Sequence, residues 1–168
     1  MREIPLTRGK VAIVDDDDFE ELSRHRWHAV PGRYTWYAMR RVTIASRPQK
    51  QRGIPMHRQV LGVTDSRIHV DHVDGNGLDN RRSNLRPATH STNQRNAAKQ
   101  RGRSSRYKGV CWSKKLGKWQ ASICLGTRQL HLGVFTDEKE AAEVYDSAAL
   151  EYFGSFARLN FPADGAAA

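Results

Sequence analysis

Asp71 and His72 stand side by side at the head of "VDHVDGNGLDNRRSNLRPATHSTNQRN", residues 70–96, and Asn84 and Asn93 follow them in the same stretch. These are the residue types that phosphodiester hydrolysis asks for. The reaction needs a base to take a proton from water, a cation to stabilise charge on the phosphorane and the leaving oxygen, and donors to hold the phosphate. His72 suits the base, because an imidazole with an unperturbed pKa near 6.5 is largely neutral at cellular pH. Asp71 is a hard anionic oxygen ligand of the kind Mg²⁺ or Mn²⁺ prefers, and the amide oxygen of Asn93 could complete a sparse site that keeps several waters. Asn84 reads as a clamp whose amide ties backbone groups across the turn and fixes the backbone of His72. The run "DHVDGNGLDN" is not a calcium hand, since counting from Asp71 or Asp74 puts the required Gly and the distal Glu in the wrong places.

The elements must bring these groups together. "IHVD" suits a strand, and adjacent strand residues point to opposite faces, so Asp71 and His72 can share one phosphate only if the strand ends there. "DGNG" supports such an end, and "NLRPAT" suits a short returning strand that Pro87 confines to an edge. Ser91 with Gln94 three residues on matches a capping box, so the spacing predicts a helix through "TNQRNAAKQR" to Gly102. Asn93 then falls in a first turn whose free N–H groups favour an anion. Asn96, one helical step on, is an alternative ligand, and its commoner role is surface hydrogen bonding. The reading requires an imidazole nitrogen within reach of the scissile linkage and a carboxylate within reach of the same ion.

Residues 1–65 read as a small α+β region. "KVAIV" is a strand, "DDDDFEELSRHR" a helix, "WHAV" and "YTWYAMRRV" a strand pair around "PGR", and "IPMHRQVLG" a short helix stopped by Gly62. Asp15 to Asp18 are read as capping charge with no chemistry, Trp27, Tyr34, Trp36 and Tyr37 as packing, and His57 as packing or phosphate support. Residues 66–98 hold the motif and 99–104 a basic linker.

A second module covers residues 105–162, ahead of a tail at 163–168. Its strands are "KGVCWS", "KWQASIC" and "RQLHLGVF", and its helix is predicted from Thr136 as N-cap to Gly154. Trp119, Ala121, Ile123, Leu130, Leu132 and Val134 alternate with polar residues, giving one apolar face. Ala141, Ala142, Tyr145, Ala148, Ala149 and Tyr152 form the helical stripe to cover it. The other face stays open, with lysines at its margin.

The formal net charge is +10, which points to a polyanionic partner, and the surplus is clustered: residues 95–118 contain no acid. Arg95, Lys99, Arg101 and Arg103 in that stripe are candidate phosphate contacts. Lys108, Lys114 and Lys118 are expected to clamp phosphates, and Gln120, Ser122, Gln129 and His131 to reach bases. With 38% hydrophobic and 27% charged residues the chain is ordinary globular protein rather than a disordered one. It has no apolar run of membrane length and no secretion signal, so a cytoplasmic setting and no membrane partner are expected. Cys111 and Cys124 lack C-x-x-C spacing, so reduced thiols and no structural zinc are expected.

These residues resemble a known family. Residues 70–96 resemble the HNH homing endonucleases whose third motif letter is Asn: Asp71-His72 matches the opening pair, Asn84-Leu85 the middle element and Asn93 the third. The resemblance implies a β-β-α metal finger in which His72 is the general base, Asp71 and Asn93 bind one divalent ion, Mg²⁺ or Mn²⁺, and Asn84 is structural. "YKGVCWSKKLGKWQASICLG", "LHLGVFTDEKEAAEVYDSAA" and "GSFARLNFP" look like the Apetala/ethylene-response-factor DNA-binding domain. Phage homing endonucleases join the two modules in this order, and "IPLTRGKVAIVDDDDFEEL" is similar to their N-terminal region. Plant members carry arginines and a tryptophan on the exposed strand face where this chain has Lys108, Cys111, Ser122, Cys124, Gln129 and His131, so their target sequence does not carry over.

The expectation is therefore an α+β protein. It is a metal-dependent homing-type endonuclease that nicks double-stranded DNA, acts as a monomer and, if phage-encoded, works in a bacterial cell. The alternative is a non-cleaving DNA-binding regulator that keeps the finger as scaffold. An RNA-binding protein is a third reading of the same basic stripe.

Overall fold

A computed structural model of the chain describes residues 1–46, 49–96 and 104–162. It is an α+β fold of two compact units, Met1–Thr89 and His90–Ala168.

In the first unit β1 (Arg2–Pro5) pairs antiparallel with β2 (Val11–Val14), whose alternation buries Ala12 and Val14. The acids then open α1 (Asp16–Ser23), with Asp15 as N-cap residue, and Leu22 is its buried side chain. An antiparallel sheet follows in the order β3 (His28–Pro31), β4 (Trp36–Ser46), β5 (Gln49–Pro55). A single turn of helix, α2 (Met56–Val60), leads to the two-stranded ribbon of β6 (His69–His72) and β7 (Leu85–Ala88). Ile4, Val14, Leu22, Trp27, Met56, Val60, Val70 and Leu85 lie in one core, so both strands of the ribbon are anchored in it.

Two strands, β1 and β5, were not expected, because "REIP" and "QKQRGIP" carry no apolar alternation. Backbone pairing with a neighbour makes them strands. Tyr34 was expected to pack and is exposed, lying at the turn between β3 and β4.

The second unit opens with α3 (His90–Asn96), which starts one residue before the expected cap, so Ser91 is already helical. The expected helix end at Gly102 lies outside the described residues. The antiparallel sheet runs β10 (Arg128–Phe135), β9 (Lys118–Leu125), β8 (Val110–Ser113) and is covered by α4 (Glu138–Phe153). Val110, Ala121 and Ile123 meet Ala141, Ala142, Tyr145 and Ala149, and the small residues let helix and sheet approach closely. Gly109 sits in that approach with φ +77°, and a Cβ there would lie 1.9 Å from the Tyr145 ring.

Three details of this unit depart from the expected pattern. Asp137, not Thr136, caps α4, its carboxylate accepting from the Glu140 N–H at 2.8 Å. A bulge between His131 and Gly133 slips the alternation of β10, leaving Val134 exposed and turning Phe135 toward the core. Tyr152 is exposed and Phe153 takes the buried place on α4. Asp146, buried in α4, accepts from the backbone N–H groups of Asn160 and Phe161 at 2.8 to 2.9 Å and so seats the "LNF" segment. Among the described residues no helix is long and apolar enough to cross a membrane.

Candidate active site

β6 ends at His72. One residue later the Val73 N–H donates to the Asn84 carbonyl at 2.9 Å, and the Gly75 N–H donates back to the His72 carbonyl at 2.9 Å, so the chain turns out of the ladder there. Asp71 stands opposite Arg86 in the register, and its Oδ2 accepts from Arg86 Nε at 2.9 Å and Nη2 at 2.6 Å. Both side chains are largely buried, at 6% and 17% exposure, so the pair is far less screened than a surface ion pair.

His72 faces aromatic company. Its ring centroid lies 5.1 Å from that of His57, edge to face, and 5.9 Å from that of Tyr37. Tyr37 and His57 are themselves 5.9 Å apart, so three rings pack on one another. Burial holds the His72 pKa below that of a free imidazole, while the Asn80 amide and the carboxylates of Asp74, Asp71 and Asp79 pull it upward. His57 is pushed down to about 3, by burial first and then by His72 and Arg58. Both imidazoles are thus neutral near pH 7. His72 retains 5% of its exposure and its Nε2 is buried. The rings of His57 and Tyr37 pack against it.

The loop after His72 is tied at many points. Asn84 Oδ1 accepts from the Asp74 N–H at 3.1 Å, and its Nδ2 donates to Asp74 Oδ1 and to the Asp79 carbonyl, both at 2.9 Å. A buried amide with these bonds fixes both ends of the turn. β2 grips the same loop: Ile13 N–H donates to the Leu78 carbonyl and Asn80 N–H to the Ile13 carbonyl, at 2.9 and 2.7 Å. Arg82, two residues before Asn84, donates its backbone N–H to Asp15 at 2.7 Å and its guanidinium to both oxygens of Asp18 at 2.7 and 2.9 Å. Arg58 of α2 donates to the carbonyls of Asp65 and Ile68 at 2.7 and 2.6 Å, holding the approach to β6.

Sequence reasoning missed several of these residues. Asp15 and Asp18 were assigned capping charge only, yet they hold the turn that carries Asn84. Arg86 had a readable signal, since a hairpin that pairs His72 with Leu85 places the next residue opposite Asp71. Asn80 gave none. Asn80 is fully buried, and its Oδ1 and His57 Nδ1 have no hydrogen-bond partner among the described residues, a cost that a packing core avoids.

The donor set bears on the expected ion. Asp71 supplies a hard carboxylate, but among the described residues no group of three or more His, Cys, Asp or Glu is gathered as a metal site. Such a set fits a hard divalent ion that draws its remaining ligands from an amide, water and phosphate. Asn93 is half-buried in α3 and Asn96 is buried there, both in the second unit.

In the second unit the outer sheet face collects the expected base readers. The register sets Gln120 beside Cys111, Ser122 beside His131 and Cys124 beside Gln129. Gln129 Nε2 donates to Ser122 Oγ at 2.8 Å. Lys114, Lys118, Gln129 and His131 are exposed, and Gln120 and Ser122 half-buried. Lys108 is different: it is half-buried, its ammonium donates to the Arg95 carbonyl, and burial brings its pKa down to about 8. The Arg95 guanidinium lies over the Phe153 ring at 4.9 Å. Lys99, Arg101 and Arg103 lie outside the described residues.

Known proteins match both units. The HNH endonuclease family matches residues 56–95, a span that runs from α2 through β6 and β7 into α3. An AP2-like ethylene-responsive transcription factor of Arabidopsis thaliana is 38% identical over 50% of this chain and 17% of its own length. An AP2/ERF and B3 domain-containing protein of Oryza sativa subsp. japonica is 46% identical over 44% of this chain and 20% of its own. The chain therefore spans a quarter or less of such plant relatives. An HNH endonuclease of Acanthamoeba polyphaga mimivirus is 32% identical over 91% of this chain and 76% of its own length. With that likeness extending along nearly the whole chain, this protein belongs to the HNH endonuclease family.

Proposed function

We propose that this protein is a homing-type endonuclease that hydrolyses one phosphodiester of double-stranded DNA per active site, with one Mg²⁺ or Mn²⁺, and so nicks. The observation that supports it most is the Asp71-His72 pair at the end of β6, with the following loop held by Asn84. His72 is the base: it takes a proton from water as the water oxygen bonds to phosphorus. The bond from phosphorus to the leaving oxygen breaks, and that oxygen takes a proton from solvent. Asp71 and Asn93 are the residues that would hold the ion, which supplies positive charge against the phosphorane and the leaving oxygen. Asn93 is assigned by the family motif. Arg86 must yield Oδ2 of Asp71 for this, and a phosphate oxygen is its natural new acceptor. DNA docking must also uncover His72 Nε2. The second unit, read as an Apetala/ethylene-response-factor type domain, supplies target affinity through Gln120, Ser122, Gln129 and His131, with Lys114 and Lys118 on phosphates. The active form is taken as a monomer.

The second reading is a non-cleaving DNA-binding regulator, and the Asp71–Arg86 pair and the buried imidazole favour it. Supercoiled plasmid carrying the DNA that flanks this chain's own gene separates the two. Conversion to open circle with Mg²⁺ or Mn²⁺, stopped by EDTA, is expected. Binding without conversion under any divalent ion would establish the regulator instead.

A further inference from the structure

β4 is paired with β3 only over Trp36–Met39, so from Arg40 outward its one partner is β5. The two strands run on together to the pair Ser46↔Gln49, about 20 Å past Arg40 at the usual strand rise. Residues 41–45 and 50–53 of this ribbon are exposed, Val42 being half-buried. A two-stranded hairpin is marginal in water by itself, so a projecting arm exposed on both faces adds little to the fold. Its charge is one-sided: the chain holds no acid between Glu21 and Asp65. Lys50 and Arg52 share a face, two residues apart on β5, and Arg41 takes the other. Among the described residues none of these three makes an ion pair or a side-chain hydrogen bond. A bulge between Thr43 and Ala45 adds local twist.

We infer that the β4–β5 ribbon is a second DNA contact, a basic arm that enters a groove of the duplex and grips its phosphates through Arg41, Lys50 and Arg52. The inference rests on the reading of the protein as a DNA endonuclease and adds an interface that lies outside both the motif and the sheet of the second unit. A duplex major groove, about 12 Å wide, admits a two-stranded ribbon. Cations on both faces then meet both phosphate walls. Edge cations also deter strand-to-strand aggregation, but that purpose needs no projection from the core and predicts no effect on DNA binding.

The test is a titration of the full chain against a fluorescent duplex of random sequence over a range of salt, read by anisotropy. Arg41→Ala/Lys50→Ala/Arg52→Ala should weaken binding by about tenfold or more and lower the slope of log K against log salt by about 2 to 3, near 0.9 per lost phosphate contact. Far-UV circular dichroism and melting should not change, and a variant with Thr43→Ala/Gln51→Ala should keep the wild-type slope. Arg41→Lys/Arg52→Lys retains the charges and should also keep it, which separates lost contacts from a damaged ribbon. An unchanged slope in the triple variant overturns the inference, as does wild-type protein that prefers a structured RNA competitor over duplex DNA. Failure of the wild type to nick leaves the slope comparison readable, so loss of the endonuclease reading and loss of the ribbon contact are told apart.

Discussion

The polar groups around His72 and those on the outer sheet face of the second unit are held in opposite ways. Asp71, His72, Asn80 and Asn84 each keep 7% or less of their exposure and are cross-tied by β2, Arg82 and Arg86. Gln129, His131, Lys114 and Lys118 stand in solvent, and Gln129 Nε2 donates to Ser122 Oγ on the same face. Chemistry needs reacting atoms fixed before the substrate arrives, so the site accepts the cost of buried polar groups and satisfies most of them. On the proposed reading, recognition of a groove needs hydrated groups that exchange water for base edges, which the open polar face of the sheet would supply. In one unit the network is the structure; in the other the packing is complete without the functional face.

That contrast can be broken from either side. Gly109→Ala drives a Cβ into Tyr145 at a positive φ, and about 3 kcal/mol or more of destabilisation should follow. Hydrogen exchange should speed in β8, β9 and β10 while β6 and β7 keep their protection. Asn84→Ala should do the converse, costing about 2–4 kcal/mol by leaving the Asp74 N–H and the Asp79 carbonyl without their partner. Protection should fall in β6, β7 and the loop between them, with DNA binding by the second unit retained.

Acidification sharpens the comparison. The His57 pKa is about 3 in the folded chain and near 6.5 when unfolded, so between those values the unfolded chain binds a proton that the folded one does not. Stability of the first unit is therefore full above pH 6.5 and falls as pH drops toward 3. The urea midpoint reported by exchange in β6 should be lower at pH 4.5 than at pH 7, and His57→Phe should flatten that difference. A midpoint insensitive to pH in the wild type would contradict the burial of this ring. Arg82→Ala, at a half-exposed pair, should cost about 1 kcal/mol or less, yet loosen the turn before Asn84. Ser122→Ala should change stability least, within about 0.5 kcal/mol, and alter base preference rather than affinity.

The legible parts of this sequence were local. Alternation in "KWQASIC" and in "RQLHLGVF" as far as its bulge after His131, with the Ala-rich stripe of α4, are short-range patterns, and the corresponding strands and helix stand where those patterns put them. Asp71, His72 and Asn84 were read as a group because one short motif carries all three, and the β6–β7 hairpin and its loop hold them near one another. The bracing was not. Arg82 meets Asp15 and Asp18 across 67 and 64 residues, and Asn80 meets Ile13 across a similar span. Such pairs leave no periodic trace, because an aspartate that caps a helix and one that also holds a distant turn look alike in sequence. β5 was missed for a related reason: its residues are polar on both faces, and backbone pairing alone makes it a strand. Lys108 was read as a phosphate clamp, whereas its ammonium is taken by the Arg95 carbonyl within the fold.

The central claim is that the His72 imidazole carries the proton in strand cleavage. Its most direct measurement is the single-turnover rate of plasmid nicking by His72→Ala at saturating protein and fixed Mg²⁺, beside its affinity for the same DNA. The account predicts a rate lower by about 10²–10⁴ with affinity unchanged. A wild-type rate in the variant would contradict it.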